Sequence, residues 1–364
     1  MKYKRTYQKV SLGEICSFKR GQTITSKNTV DGDIPVVAGG LQPSYYHNVS
    51  NRDANTIAVA GSGAYAGYVS YWDKPIYLSD AFSVETDDNA IKKYIYYYLK
   101  LNQEKIYTFQ KGAGIPHVHG NDIKNLLINL PDVKTQEEIV KVLDSFTNFI
   151  DALNEELSLR QKQFEYYREK LLTFDKTSVS VVETSLGEIG NVCMCKRIMK
   201  NETSESGDVP FYKIGTFGGI ADSFISEDKF EEYKNNYNYP KLGDILISAS
   251  GTIGKTVVFD GKPSYYQDSN IVWIDNDESK IMNSLLKYIY TIIDWKVDDG
   301  GVIKRLYNSN IRSTLITYPK DKDIQQSIVE KLDAFESLIS SLKEEIALRQ
   351  KQYEYYREKL LTFD

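Results

Sequence analysis

Three groups of residues have the types and spacing that site chemistry requires. Residues 249–256 read ASGTIGKT, a relaxed phosphate-binding loop with Ala249 in place of the first glycine, and IVWID at 271–275 could supply a magnesium-holding aspartate. Such a loop needs a helix directly behind it, because the helix N-terminus and the loop amides hold the phosphates. Here TVVFDG follows, which reads as strand and turn, and the matching stretch AGSGAYAGY at 60–68 has no lysine. The glycines read instead as a tight turn between strands. His117-Val118-His119 has the look of a metal pair, but the matching stretch later in the chain carries Arg305 and Tyr307 there. Cys16, Cys193 and Cys195 fall short of a four-ligand zinc set, and the latter two read as small strand residues. No Ser/His/Asp set recurs in both halves of the chain, and no Asn/Asp-Pro-Pro-Tyr/Phe stretch occurs. The sequence offers no catalytic centre, and no metal or cofactor is expected in this chain.

What remains is a set of basic clusters beside glycine or polar residues: Lys19-Arg20, Lys111, Lys196-Arg197, Lys255 and Lys304-Arg305. Read as loops, they permit phosphate contact and base-edge reading without demanding either. With 45 Lys and Arg against 50 Asp and Glu, the net charge of −5 speaks against a basic nucleic-acid binder. By region the objection weakens. Residues 1–132 carry +3, 133–175 carry −3, 176–319 carry −3 and 320–364 carry −2. The acidity therefore lies partly on two segments that turn out to be helices.

The elements that must position these residues come in two copies. LSLRQKQFEYYREKLLTFD at 157–175 returns as IALRQKQYEYYREKLLTFD at 346–364, differing only at Leu157/Ile346, Ser158/Ala347 and Phe164/Tyr353. Upstream, IVKVLDSF (139–146) pairs with IVEKLDAF (328–335), and GAGIPHVHGNDIKNLLINLP (112–131) with GGVIKRLYNSNIRSTLITYP (300–319). Lys74-Pro75 and Asp80 pair with Lys262-Pro263 and Asp268, GDIP (32–35) with GDVP (207–210), and SLGEI opens both halves. The chain of 364 residues is thus a tandem duplication of a variable segment followed by a near-constant one.

In the near-constant segments apolar residues recur at alternating spacings of four and three, from Ile139 through Leu143, Phe146 and Ile150 to Phe174, and from Ile328 through Leu332 and Phe335 to Phe363. This 3.5-residue period, without internal Gly or Pro, predicts two long helices that pair with each other. Arg160 and Arg349 interrupt the seam at matching positions. Each either fixes coiled-coil register or extends its charged head out to water. The variable segments mix strands with helices. Residues 56–73 and 243–261 read as strand, glycine-rich turn, strand, and residues 90–106 and 279–293 as helices. No run approaches the length of a membrane helix, the first ten residues lack a signal peptide's apolar core, and three cysteines make no disulfide framework. A cytoplasmic protein without membrane contact is expected.

Two variable domains, each followed by a near-identical helix, resemble the specificity subunit of type I restriction-modification enzymes along essentially the whole chain. SLGEI…GDIPVVAGG and GAGIPHVHGNDIKNLLINLPDVKTQEEIV carry the resemblance, with GGVIKRLYNSNIRSTLITYP…QQSIVEKLDAF as the second instance. It implies an α+β fold with two similar target-recognition domains, 1–132 and 176–319, in pseudo-two-fold arrangement. They would be joined by two long antiparallel coiled-coil spacer helices, 133–175 and 320–364. It further implies a non-catalytic subunit whose domains each read one half of a bipartite site on double-stranded DNA. The helices would set the spacer and dock two methyltransferase subunits, and restriction subunits would join them. S-adenosylmethionine, ATP and Mg would then belong to the partners. The DNA-reading candidates are Lys19, Arg20, Gln22, Ser62, Lys111, His117 and His119 in the first domain. In the second they are Lys196, Arg197, Ser250, Thr252, Lys255, Lys304, Arg305 and Asn308. The competing readings are a coiled-coil scaffold with two protein-binding modules and a nucleotide enzyme resembling the phosphate-loop class.

Overall fold

The computed structural model describes residues 6–112, 114–174, 180–297 and 304–363. Residues 300–303 of the second matched loop lie outside the described residues. The chain packs as two compact units, one comprising residues 1–155 and 343–364, the other residues 156–342. Their boundaries fall inside the two long helices, Val133–Leu172 and Lys322–Thr362.

In the first unit a four-stranded antiparallel sheet orders Cys16–Arg20, Ala81–Thr86, Thr56–Ala60 and Val69–Trp72. The TIAVA strand is buried along its whole length, as its β-branched and small residues suit. A three-stranded sheet sets Ile34–Val37 between antiparallel Tyr45–His47 and parallel Tyr77–Leu78. Tyr7–Ser11 pairs with Leu127–Pro131.

The second unit repeats this plan. Its four strands are Gly190–Cys193, Ile271–Asn276, Ile245–Ser248 and Thr256–Val258. Val209–Tyr212 lies between Phe224–Ile225 and Tyr265–Tyr266, and Val181–Ser185 pairs with Leu315–Pro319. The two-residue strand period shows in the packing. Ile245, Ile247, Val272 and Ile274 enter one core with Leu285, Leu286 and Leu332. Leu246, Ile271 and Trp273 enter another with Phe211 and Tyr265. The helix Glu227–Asn236 is added in this unit, where the hydroxyl of Ser226 accepts the Lys229 amide hydrogen at 3.3 Å and caps its N-terminus. The first unit has no counterpart among its described residues.

Two helix expectations are corrected. The stretch 90–106 is two helices, Lys92–Leu101 and Gln103–Tyr107, because Asn102 leaves the helical region (φ −95°, ψ 17°) and its side chain donates to the Tyr98 carbonyl at 2.9 Å. The stretch 279–293 is helical only over Asn283–Tyr290. Buried tyrosines explain part of the tyrosine richness: Tyr94 and Tyr98 sink their rings into the core while their hydroxyls donate to the carbonyls of Asn129 and Leu127.

The long helices pair antiparallel within each unit. In the first, Phe146 stacks on Tyr356 and the Arg349 guanidinium lies over Phe149. In the second, Phe164 and Tyr167 meet Phe335. The seam is not only a helix–helix surface. Ile139 and Leu143 are buried in the core of the first unit, Ile328 and Leu332 in that of the second. Lys93 and Tyr97 reach Asp144 at 2.7 and 2.5 Å, while Lys287 reaches Glu336 and Tyr288 reaches Asp333, both at 2.5 Å. The start of each helix is thereby fastened to its own domain. Arg160 and Arg349 are each partly exposed and bonded within their own helix, to Glu156 and Gln163 and to Glu345 and Gln352.

Candidate nucleic-acid interface

In the first unit the end of the strand Cys16–Arg20 meets the glycine-rich turn after Ala60 and the loop before Gly120. Backbone bridges join Ser62 to His117 and His117 to Lys111. Gly63 and Gly67 take positive φ values (88° and 90°), which lets the turn double back between antiparallel strands. The result is an open cleft lined by Phe18, Arg20, Asp80, His117, His119 and Asn121. The His117 and His119 rings are nearly parallel, with centroids 6.2 Å apart. The Ser62 hydroxyl donates to Asp80, whose other oxygen lies 3.9 Å from Arg20.

Lys111 pairs with Asp122. Burial alone would raise the Asp122 carboxyl, but the Lys111 ammonium and the His119 amide outweigh it and hold the group below the usual carboxylate range. Lys19 and Arg20 close a strand rather than lie in a loop, so the two face opposite sides, with Arg20 beside Phe18 in the cleft. Gln22 follows outside the cleft lining, its backbone N–H donating to the Leu78 carbonyl at 2.9 Å. Arg52 holds the strand end by donating to the carbonyls of Lys19 and Arg20 at 3.1 and 3.0 Å.

The second unit builds the same place from different residues. Ser250 is bridged to Arg305 as Ser62 is to His117. Arg197 donates to Asp268 at 2.9 Å, and Arg305 to the Ser269 carbonyl at 3.0 Å. Lys304 adjoins Arg305 and is exposed, and Asn308 starts the short helix Asn308–Ser313. Three candidates lie apart from the Arg197–Ser250–Arg305 cluster in what they touch. Lys196 sits over the Tyr237 ring at 4.9 Å. Lys255 donates to the Phe217 carbonyl at 2.5 Å. Thr252 is exposed on the turn, its carbonyl accepting from the Ser248 hydroxyl.

ASGTIGKT itself turns between the strands Ile245–Ser248 and Thr256–Val258, with Gly251 and Gly254 at φ 64° and 79°, so no helix N-terminus stands behind it. Burial pushes the Cys195 thiol up to about 12, and that of Cys16 likewise. Among the described residues, no group of three or more His, Cys, Asp or Glu could hold a metal ion, and no helix is long and apolar enough to cross a membrane.

Sequence reasoning missed Asp80, Asp268 and Asn270 as members of the site. The repeat itself carried a signal, since Asp80 and Asp268 match after the Lys-Pro pairs. Nothing in the sequence marked Arg52.

A family model for the type I restriction modification DNA specificity domain matches residues 4–160 and 179–348. The chain belongs to the type I restriction-modification specificity subunits. It is 42% identical over 359 residues to a Haemophilus influenzae protein described as a type I restriction enzyme specificity subunit, covering 93% of this chain and 91% of that one. It is 32% identical over 301 residues to the EcoR124I/EcoR124II specificity subunit of Escherichia coli, covering 76% and 72%. The fold is similar to the crystal structure of a type I S subunit from M. genitalium, with a TM-score of 0.70 and 20% identity across 98% of this chain and 96% of that one. The matches to two successive specificity domains agree with the duplication read from the sequence, and the mixed α+β architecture with two paired long helices agrees with the expected fold class.

Proposed function

We propose that each domain reads one half of a bipartite site on double-stranded DNA, and that the paired helices fix the spacer and dock two methyltransferase subunits. The observation that carries this reading is the contrast between constant and variable parts. Two domains share one strand order and one candidate site, yet that site presents Arg20, His117 and His119 in one domain and Arg197 and Arg305 in the other. An asymmetric target requires readers that differ, and a fixed spacing requires supports that do not.

The guanidinium groups suit guanine, whose O6 and N7 accept a bidentate pair, while Lys111, Lys196 and Lys304 suit phosphate. Half-sites about one helical turn apart, ~34–36 Å, place both readers on one face of the duplex. Helices of 40 and 41 residues, each about 60 Å long, are stiff enough to hold such a distance. The chain contributes recognition, and the chemistry belongs to its partners. Methyltransferase subunits would bring S-adenosylmethionine and flip the target adenine, and restriction subunits would bring ATP and Mg. A reducing cytoplasm suits the three free thiols.

The test is co-expression with type I methyltransferase subunits from the same host, followed by sequencing of methylated adenines. One two-part motif with a constant unread spacer is the expected result. Methylation without sequence preference, or failure of the subunits to co-purify, would overturn the reading.

A further inference from the structure

Within the candidate site itself, at the turn entering the central sheet, the two domains differ in chain length as well as in residue type. In the first, the segment entering the central sheet runs Ser79, Asp80, Ala81, and Ala81 pairs with Ala60. In the second it runs Gln267, Asp268, Ser269, Asn270, Ile271, and Ile271 pairs with Ser248. The ends correspond through their backbone bonds. The Ser79 amide donates to Val37 and the Gln267 amide to Tyr212, on matching strands. The second domain therefore carries two extra residues inside this turn.

The excursion is well held. The Ile271 amide donates to the Gln267 carbonyl at 3.1 Å and closes the loop, and Ser269 takes a left-handed conformation (φ 54°). Such a conformation at a non-glycine residue persists only where its surroundings impose it.

The insertion divides between two residues what one residue does in the first domain. Asp80 accepts from the Ser62 hydroxyl, lies 3.9 Å from Arg20, and gives its carbonyl to the Gly61 amide. In the second domain Asp268 holds the arginine, Arg197, at 2.9 Å. Asn270 takes the other two contacts. Its carbonyl accepts from the Ala249 amide at 2.7 Å, and its Oδ1 lies 2.9 Å from the Ser250 hydroxyl. Asn270 is half-buried, between the Ser250 turn and the turn that Arg305 grips through Ser269.

The chemical consequence is a change of hydrogen-bonding character at one fixed point. An ionised carboxylate only accepts, whereas an amide both donates and accepts. In the major groove adenine alone offers an acceptor (N7) beside an amino donor (N6), the pattern an asparagine amide matches in bidentate fashion, whereas an aspartate suits the amino group of cytosine. We propose that Asn270 is a specificity-determining residue that reads an adenine in the second half-site, set in place by Ser250 and by the two-residue insertion. This rests on the DNA-reading function proposed above.

The test uses the full chain in complex with its methyltransferase subunits. Wild type, Asn270→Ala and Asn270→Asp are compared by sequencing methylated adenines, which reports both half-sites from one sample. Asn270→Ala is expected to lose roughly tenfold discrimination at a single adenine position of one half-site, leaving the other half-site unchanged. Asn270→Asp is expected to shift that position towards cytosine. Undiminished discrimination in both variants overturns the assignment while leaving the DNA-reading function intact. So does an equal loss of methylation at every site by a complex that still assembles, because it would make Asn270 a scaffold residue. If the wild-type complex methylates no two-part sequence, the broader reading fails and the assignment falls with it.

Discussion

The side-chain oxygen of Gln136, in the first turn of the first long helix, accepts the backbone amide hydrogen of Ile91 at 2.9 Å. Its amide nitrogen donates to the carbonyls of Asn89 and Pro131, both at 2.9 Å, and the residue is fully buried. One repeat later, Gln325 accepts from Met282 and donates to Lys280 and Pro319 at 2.9, 3.0 and 2.7 Å. Each glutamine locks the start of a long helix to the loop that leads into its domain's helix. Replacing either by leucine leaves three backbone groups without partners, and buried unsatisfied groups cost about 1–3 kcal/mol each before relaxation. Gln136→Leu and Gln325→Leu are each expected to lower stability by about 2–4 kcal/mol. Urea unfolding checks this, with the midpoint falling at an unchanged slope.

Both SLGEI segments form a capping box that responds to pH. The Ser11 hydroxyl and amide donate to Glu14 at 2.7 and 2.6 Å and hold its carboxyl below the ordinary 4.5. Thr184, then the Ser185 amide, does the same for Glu188. A carboxyl depressed in the folded state contributes stability that is complete above the unfolded value and is lost as pH falls through the folded one. Melting temperature should therefore drop between about pH 5 and pH 2, with a shallower drop in the Glu14→Gln, Glu188→Gln double variant. Equal slopes for variant and wild type would show that these boxes do not respond.

A spacer held by paired helices lengthens when both lengthen. Inserting one heptad after Glu155 and another after Leu342, near the middle of the two helices, preserves the seam period and adds about 10 Å, or about three base pairs. The methylated motif is expected to keep both half-sites and gain unread bases between them. An unchanged spacer in methylation sequencing would remove the ruler role.

The basic pair in the second domain gives a simpler check. Lys304→Ala with Arg305→Ala removes two positive charges and frees the Ser269 carbonyl that Arg305 now holds. Binding of DNA by the assembled complex is expected to weaken, and the slope of log affinity against log salt to flatten by about 1–2. Affinity and slope both unchanged would exclude these residues from the interface.

Gly254 tests the glycine turn. Its φ of 79° disfavours any side chain, and a Cβ would sit 2.5 Å from the Trp295 indole nitrogen. Gly254→Ala is expected to destabilise the second domain by more than about 1 kcal/mol, read as a lowered melting temperature.

The sequence alone determined the duplication, the two helices and the strand–turn–strand at each glycine-rich stretch. These follow from local periodicity and from identity between copies, which need no knowledge of distant contacts. It also argued against a phosphate loop at ASGTIGKT, because the residues that follow are strand-formers. Tertiary structure alone decided which polar residues meet. Asp80 reaches Ser62 and Arg20 because strands distant in sequence end at one edge, and Arg52 reaches the Lys19 and Arg20 carbonyls for the same reason. Lys19 and Arg20 are adjacent in sequence yet face opposite sides of a strand, a separation that a loop reading could not give. The two extra residues at Ser269 and Asn270 acquire meaning only when the ends of the turn are fixed by strand pairing. Composition, period and identity are local properties of the chain. The convergence of side chains on one point depends on register between strands, which only the folded backbone sets.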